Sequence, residues 1–208
     1  MWQPKKKPIY QDINPLIRVF ITSDIFLWSA WNFVIPIFAV FVTENVPGGN
    51  LEIAATAYSA FLLTRVFFEL ASGKYMEKAD KRTKLLFAVL GIVISSISYV
   101  GFAYTKSVFF IYFFYILNGI GLGISTPPKN TLFSSNLDRG KETSEWWMYD
   151  ASTYISMAVS ASVGGIIANQ LSFQTLFLIS AFLSLFSTLP YIHYLKHYPK
   201  YKLNPFIK

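Results

Sequence analysis

The stretch that decides the fold runs from residue 85 to residue 128 and reads LLFAVLGIVISSISYVGFAYTKSVFFIYFFYILNGIGLGISTPP. Each of its two apolar halves is about 20 residues long, the length that an α-helix needs to cross the hydrocarbon core of a bilayer. Only Thr105, Lys106 and Ser107 separate the halves. Because so short a link joins neighbouring antiparallel helices, this stretch predicts a transmembrane hairpin.

The same pattern of apolar stretches between polar links extends along the whole chain. Of the 208 residues, 53% are hydrophobic and only 14% are charged, whereas about a quarter of a soluble domain is charged. Six stretches meet the hydropathy criterion for membrane spans, at about residues 17–42, 53–73, 85–105, 107–128, 151–170 and 173–192. We therefore expect an all-α membrane protein, with residues 1–208 forming a single six-helix domain between short N- and C-terminal tails. The length excludes a large multidomain enzyme, and the absence of cysteine excludes a disulfide scaffold.

The basic residues test this topology independently of hydropathy. Of the 18 lysines and arginines, 16 fall on one side of the predicted bundle; the other two are Lys106, on the opposite side, and Arg65, inside the second span. Four are at the N-terminus (Lys5, Lys6, Lys7 and Arg18), five in the loop after the second span (Lys74, Lys78, Lys81, Arg82 and Lys84), three in the loop region after the fourth span (Lys129, Arg139 and Lys141), and four in the C-terminal tail (Lys196, Lys200, Lys202 and Lys208). Positive charge concentrates on the cytoplasmic side of membrane proteins, so we expect both termini in the cytoplasm and the protein in the cytoplasmic or inner membrane. A nucleic-acid-binding patch would not follow this alternation, so no nucleic-acid partner is expected.

The first span carries a polar face. At helical spacing, Asp24, Trp28, Trp31, Asn32 and Ile35 share one side of this helix. Ionisable groups at membrane depth are expensive and usually face the bundle interior, so we expect a polar cavity here. Asp24 is the candidate for binding a coupling cation or proton, and Trp28 and Asn32 for contacting a substrate. The alternative is that Asp24 lies close enough to the interface to be hydrated.

Two further polar features lie inside spans. Arg65 and Glu69 are four residues apart on the second span, the spacing at which opposite charges meet on one helix face. We favour a structural clamp near the cytoplasmic mouth over a substrate or proton site. Asn118, on the fourth span, is a candidate for a polar contact in the cavity.

No pattern in the chain points to a metal, a cofactor or an enzyme. His193 and His197 have a spacing that can ligate a metal, but no cysteine or acidic residue near them completes a site. No phosphate-binding glycine loop, nucleophile elbow or pair of catalytic carboxylates is present in the sequence. We expect neither a cofactor nor catalytic activity.

The loop after the second span carries a recognisable pattern. It reads Gly73-Lys74-Tyr75-Met76-Glu77-Lys78-Ala79-Asp80-Lys81-Arg82. This stretch resembles the signature loop of the major facilitator superfamily, with Glu77 in place of the family's aspartate and Asp80 in place of its second glycine. Asn118-Gly119-Ile120-Gly121 and Arg139-Gly140-Lys141-Glu142 are similar to the family's fourth helix and the loop that follows it.

The resemblance implies roles for this loop. Glu77 would engage a helix N-terminus in another half of the transporter, and Lys78, Lys81 and Arg82 would form salt bridges around it. Together with Gly73, these residues would form a conformational-switch loop whose weak contacts hold a closed state. The alternative is a loop made basic by membrane topology alone.

The resemblance also implies an architecture and a function. Family members have two six-helix halves around a central cavity, each half built from a three-plus-three inverted repeat, and this chain would supply one half. It would transport a small-molecule substrate by alternating access in the lipid bilayer, either alone or together with a coupling ion. The second half would come from a homodimer, a separate chain or the remainder of a split or truncated gene. The alternative is a non-transporting membrane subunit or scaffold.

Overall fold

The computed structural model of the chain describes residues 13–202, and it is helical throughout apart from short links. The helices are α1 (Pro15–Val34), α2 (Phe38–Asn45), α3 (Leu51–Met76), α4 (Lys81–Tyr104), α5 (Val108–Ser134), α6 (Glu142–Gln170), α7 (Phe173–Phe186) and α8 (Leu189–Lys202). A 3₁₀ segment, Ile35–Ile37, joins α1 to α2. It contains Pro36, which lacks the N–H that a continuous α-helix would need at this point.

Six helical segments are long and apolar enough to cross a membrane. They are Pro15–Asn45, Leu51–Met76, Lys81–Tyr104, Val108–Ser134, Glu142–Gln170 and Phe173–His197, so α1 with α2 forms the first segment and α7 with α8 the sixth. The predicted fold class, an all-α bundle of six membrane helices, is confirmed. The side of the membrane on which the termini lie stays a prediction, and Lys5, Lys6, Lys7 and Lys208 lie outside the described residues.

The fourth membrane helix is longer than its sequence indicates. It was expected to end at about residue 128, but α5 continues through Pro127 and Pro128 to Ser134. Pro127 cannot donate a hydrogen bond to the carbonyl of Gly123; instead, Ser72 Oγ of α3 donates to that oxygen at 2.8 Å. Neighbouring helices can in this way satisfy backbone groups that a proline leaves free, which lets a membrane helix continue.

This extension corrects one assignment among the basic residues. Lys129 was placed in the loop after the fourth span, but it lies within α5 and is only 7% exposed. It therefore belongs to the interior of the bundle and does not add to the charge of the loop. The fifth membrane helix also extends further than expected, since α6 begins at Glu142 and not near residue 151.

The helices pack in a pattern with internal symmetry. The helix α5 packs mainly against α3 and α4, the helix α1 packs mainly against α6 and α7, and α4 packs against α7. If the first segment is exchanged with the fourth, the second with the fifth and the third with the sixth, the same pairs of segments remain neighbours. The packing therefore fits the three-plus-three repeat that the resemblance implied.

Two glycines permit equivalent close contacts in this pattern. A Cβ atom on Gly119 of α5 would lie 2.6 Å from the backbone oxygen of Phe61 in α3. A Cβ atom on Gly164 of α6 would lie 2.5 Å from the backbone oxygen of Phe33 in α1. The first contact joins the second and fourth membrane segments, and the second contact joins the fifth and first segments. The internal symmetry relates these two pairs of segments to each other. Small residues thus let both pairs of helices approach closely.

Two helices remain on the outside of the bundle. In an apolar 18-residue stretch of α3 and of α6, only 17% of the residues are buried, whereas 39% to 50% are buried in the corresponding stretches of the other four segments. The symmetry relates α3 to α6, so the exposed faces are also equivalent. The candidate site lies where α6 meets α1.

Candidate functional site

A buried ion pair joins the first and fourth membrane segments. Asp24 of α1 is 2% exposed, and Lys129 Nζ of α5 donates a hydrogen bond to its Oδ1. The second carboxylate oxygen, Oδ2, accepts a hydrogen bond of 2.6 Å from the hydroxyl of Tyr149 in α6. Three helices therefore meet at one carboxylate, and both of its oxygens have a donor.

The neighbours of Asp24 offset the cost of burying its charge. Burying an isolated charge costs several kcal/mol, and a close opposite charge with further hydrogen bonds offsets much of that cost. An exposed fraction of 2% does not fit the alternative in which Asp24 is hydrated at the interface. A proton on Asp24, or a competing anion at Lys129, would break the pair and leave the other partner uncompensated.

A second polar contact lies beside this pair. Ser23 Oγ donates to the backbone oxygen of Ser187 at 2.6 Å, at the link between α7 and α8. Tyr191 of α8 is fully buried and lies next to Ser23 and Asp24. The first and sixth membrane segments are thus tied together at the level of Asp24.

An open cavity of about 260 Å³ lies between α1 and α6. Its lining consists of Trp28 from α1 together with Tyr149, Asp150, Thr153, Tyr154 and Met157 from α6. Trp28, which the sequence marked as a substrate contact, therefore lies in the wall of a cavity that also includes Tyr149, the hydrogen-bond partner of Asp24.

The other two residues of the predicted cavity lie elsewhere. Asn32 is not in the lining, and its Nδ2 donates to the backbone oxygen of Trp28 at 3.0 Å within its own helix. Asn118 is 1% exposed, beside Tyr99 of α4, and its Oδ1 has no hydrogen-bond partner in the part of the chain that the structure describes. It precedes Lys129 by 11 residues in α5, which is about 16 Å along a helix axis. The structure does not bring Asn118 to the Asp24 pair.

Arg65 and Glu69 form the ion pair that their spacing indicates. Arg65 Nε lies 2.8 Å from Glu69 Oε1, and the two side chains are 25% and 32% exposed. The pair is on α3, one of the two outer helices, so it is separate from the Asp24 site. Its partial exposure fits a clamp on the surface of α3 better than a sealed binding site.

The predicted switch loop is short. Gly73 lies inside α3, Glu77 caps the end of that helix, and Lys78 and Arg82 are exposed. Lys81 Nζ donates to Asn136 Oδ1 at 2.7 Å, which ties this loop to the link after α5.

Asp80 of the same loop caps the start of α4. Its Oδ1 accepts a hydrogen bond of 3.2 Å from the backbone N–H of Thr83. Hydrogen bonds from the side chain and backbone of Thr83 lower the pKa of Asp80 below its ordinary value.

Sequence reasoning missed the partners of Asp24 and one buried acid. Lys129 had been assigned to a loop, and no local spacing connects Tyr149 to Asp24. Glu145, in the first turn of α6, is 1% exposed; its two carboxylate oxygens accept from the backbone N–H of Asp138 at 2.8 Å and of Asn14 at 3.5 Å. Its only local signal was an acidic residue at the beginning of a helix, which is common.

Comparison with protein-family models supports the resemblance seen in the sequence. The model of the Major Facilitator Superfamily matches residues 3–144, more than half of the chain. The matched region includes Asp24, the switch loop and Lys129, and it ends before Tyr149. No curated protein matches the chain.

Proposed function

The chain belongs to the major facilitator superfamily, and we propose that it moves a small solute across the membrane by alternating access, as one six-helix half of a secondary transporter. The family is made up of membrane transporters, which are not enzymes. The protein is thus an integral multi-pass membrane transporter that acts in a lipid bilayer on a small-molecule substrate. From the bias of the basic residues, we place both termini in the cytoplasm and the protein in the cytoplasmic or inner membrane.

The exposure of α3 and α6 is the observation that carries the half-transporter proposal. These outer helices hold polar groups within membrane-length segments: the half-buried pair Arg65 and Glu69 on α3, and the exposed Asp150 on α6. Contact with lipid would be costly for such groups. A second half that covers both helices would place them in a polar central cavity. That half is supplied by another copy of the chain, a separate chain, or sequence beyond these residues.

In this proposal the Asp24 pair is the coupling site. A proton or cation reaching Asp24 would weaken its bond to Lys129 and loosen the junction of α1, α5 and α6. Trp28 would contact the substrate in the cavity, whereas Asn32 and Asn118 lie outside its lining. Rocking of the two halves about this region would give alternating access.

The remaining predicted residues would act on the conformational change. Glu77 would engage a helix N-terminus of the second half, supported by Gly73, Lys78, Lys81 and Arg82. The exposed positions of Glu77 and Lys78 leave them available for such contacts. Arg65 and Glu69 would stabilise α3 while it moves against its partner.

Cysteine cross-linking tests the proposed second half. The chain has no cysteine, so Glu77→Cys with Trp147→Cys provides a selective pair on the exposed helix ends. Leu90→Cys with Ile97→Cys provides a matched control on α4, at side chains that are also about half exposed. We expect a covalent dimer, or an adduct with a separate partner chain, for the first pair only. A first pair that cross-links no more than the control would contradict a second half at α3 and α6.

Labelling from the two sides of the membrane tests alternating access. Tyr154→Cys places a thiol in the cavity wall. A membrane-impermeant maleimide should label it both in right-side-out and in inverted vesicles, whereas Glu77→Cys should be labelled from the cytoplasmic side alone. Labelling of Tyr154→Cys from only one side would favour the scaffold alternative.

A further inference from the structure

The cavity between α1 and α6 has an unusual combination of groups. Three aromatic side chains, Trp28, Tyr149 and Tyr154, line it together with the carboxylate of Asp150. Its volume of about 260 Å³ suits a small molecule, and the cavity is open on the exposed side of α6.

Asp150 gives this cavity an uncompensated negative charge. Among the side chains that the structure describes, in residues 13–197, no lysine or arginine forms a salt bridge with it, and Lys129 is paired with Asp24. Asp150 follows Tyr149, whose hydroxyl is bonded to Asp24, so both acids lie at about the same depth in the bundle. Asp150 is eight residues past the first residue of α6, or about 12 Å along the helix. In a polar central cavity this carboxylate would attract a cation.

We infer that this cavity recognises a small organic cation, such as a substituted ammonium group. The faces of aromatic rings attract cations, and cages of aromatic side chains are a common means of binding quaternary ammonium ligands. A carboxylate in the same cavity adds an opposite charge. The ligand's charge would compensate Asp150 while its alkyl groups contact Trp28, Tyr154 and Met157. This inference rests on the proposed transport function and specifies its substrate class.

Other ligand classes fit the cavity less well. Among the described residues, no cluster of three or more acidic or histidine ligands could hold a metal ion. An anionic ligand would be repelled by Asp150, and a neutral one would leave this carboxylate unpaired. The combination of a single carboxylate and aromatic walls favours a cation with an apolar surface.

Calorimetric titration of the purified protein in lipid nanodiscs tests the inference. Choline chloride is the probe, and its control is 3,3-dimethylbutan-1-ol, which has the same shape without the charge. We expect choline to bind at least about tenfold more tightly than the neutral alcohol. Equal affinity for the two compounds, or no binding of choline, would overturn the inference. The second outcome includes the case in which a basic side chain of the second half already occupies the cavity.

Two variants locate the binding. Asp150→Asn keeps the size of an exposed side chain and removes its charge, so the fold should persist while choline affinity falls about tenfold or more. Glu52→Gln, an exposed acid in the first turn of α3, is the matched control and should bind choline like the unmodified protein. Unchanged choline affinity in Asp150→Asn would also overturn the inference.

This test separates the substrate class from the transport function. If choline fails to bind but Tyr154→Cys is labelled from both sides, the substrate class is wrong and alternating access stands. If choline binds through Asp150 but labelling stays one-sided, the cavity is a ligand site in a protein that does not transport by alternating access.

Discussion

Asp24 and Lys129, which are 105 residues apart in the chain, form an ion pair inside the helical bundle. They come from α1 and α5, which begin the two halves of the internal repeat. These two helices otherwise contact each other little. The pair and the hydroxyl of Tyr149 therefore add polar contacts between the two repeats, beside apolar contacts such as that between the rings of Phe20 and Phe133.

Breaking this pair from one side should be strongly destabilising. We expect Asp24→Asn or Lys129→Met alone to cost about 3–5 kcal/mol, because the remaining group stays buried without its partner. The double variant should recover much of that loss. Reversible unfolding of the four proteins in mixed detergent micelles gives the coupling energy.

The pair on α3 is the control for this cycle. Arg65→Met and Glu69→Gln remove an ion pair that is partly exposed, so we expect a coupling of about 1 kcal/mol or less. Similar coupling energies for the two pairs would show that the Asp24 pair is not the stronger link.

The hydroxyl of Tyr149 should contribute through its bond to Asp24. We expect Tyr149→Phe to lower the free energy of unfolding by about 1.5–3 kcal/mol, the range for a hydrogen bond to a charged group. Tyr154→Phe, at an exposed tyrosine of the same helix, should change it little. If the two variants unfold alike, the Tyr149 bond does not stabilise the junction.

Two adjacent glycines of α6 should respond oppositely to alanine. Gly164→Ala would place its Cβ 2.5 Å from the backbone oxygen of Phe33, so we expect a loss of about 1–3 kcal/mol. Gly165 has open space around it, so Gly165→Ala should be neutral or stabilising by up to about 1 kcal/mol. Thermal unfolding in one detergent compares them, and equal melting temperatures would contradict the close approach of α1 and α6.

The cap formed by Asp80 should depend on pH. Its pKa is lowered below the ordinary value of 3.8 by hydrogen bonds from Thr83. The stabilisation is therefore complete above that value and is lost as pH falls through the lowered pKa. We expect Asp80→Ala to melt at a lower temperature than the unmodified protein at neutral pH, and the gap to narrow in strong acid. Glu77→Ala is the control, and a gap independent of pH would rule out the charged cap.

Asp24 should affect coupling more than binding. In proteoliposomes, with choline as the probe, we expect a proton gradient to stimulate uptake by the unmodified protein and not by Asp24→Asn. Exchange of choline without a gradient should continue in that variant. Unchanged stimulation in Asp24→Asn would exclude Asp24 as the coupling group, provided that the variant reconstitutes to the same level.

The fold class could be predicted from the sequence because its signals are local. Apolar length marks a membrane helix, and the spacing of Arg65 and Glu69 is set by one helix alone. The family resemblance rested on short motifs, and the match to residues 3–144 confirms it. The roles of Glu77 and its loop involve a second half, and they stay predictions.

The sequence alone determined six membrane helices, their family and the polar face that carries Asp24 and Trp28. Only the tertiary structure decided that Lys129 is buried, because a hydroxyl from α3 satisfies the carbonyl that Pro127 frees and α5 continues past it. Likewise, only the packing of α6 against α1 brought Tyr149 to Asp24 and Asp150 to the cavity beside Trp28. Helix periodicity shows which residues share a face, whereas the contacts between faces depend on how closely each pair of helices can approach.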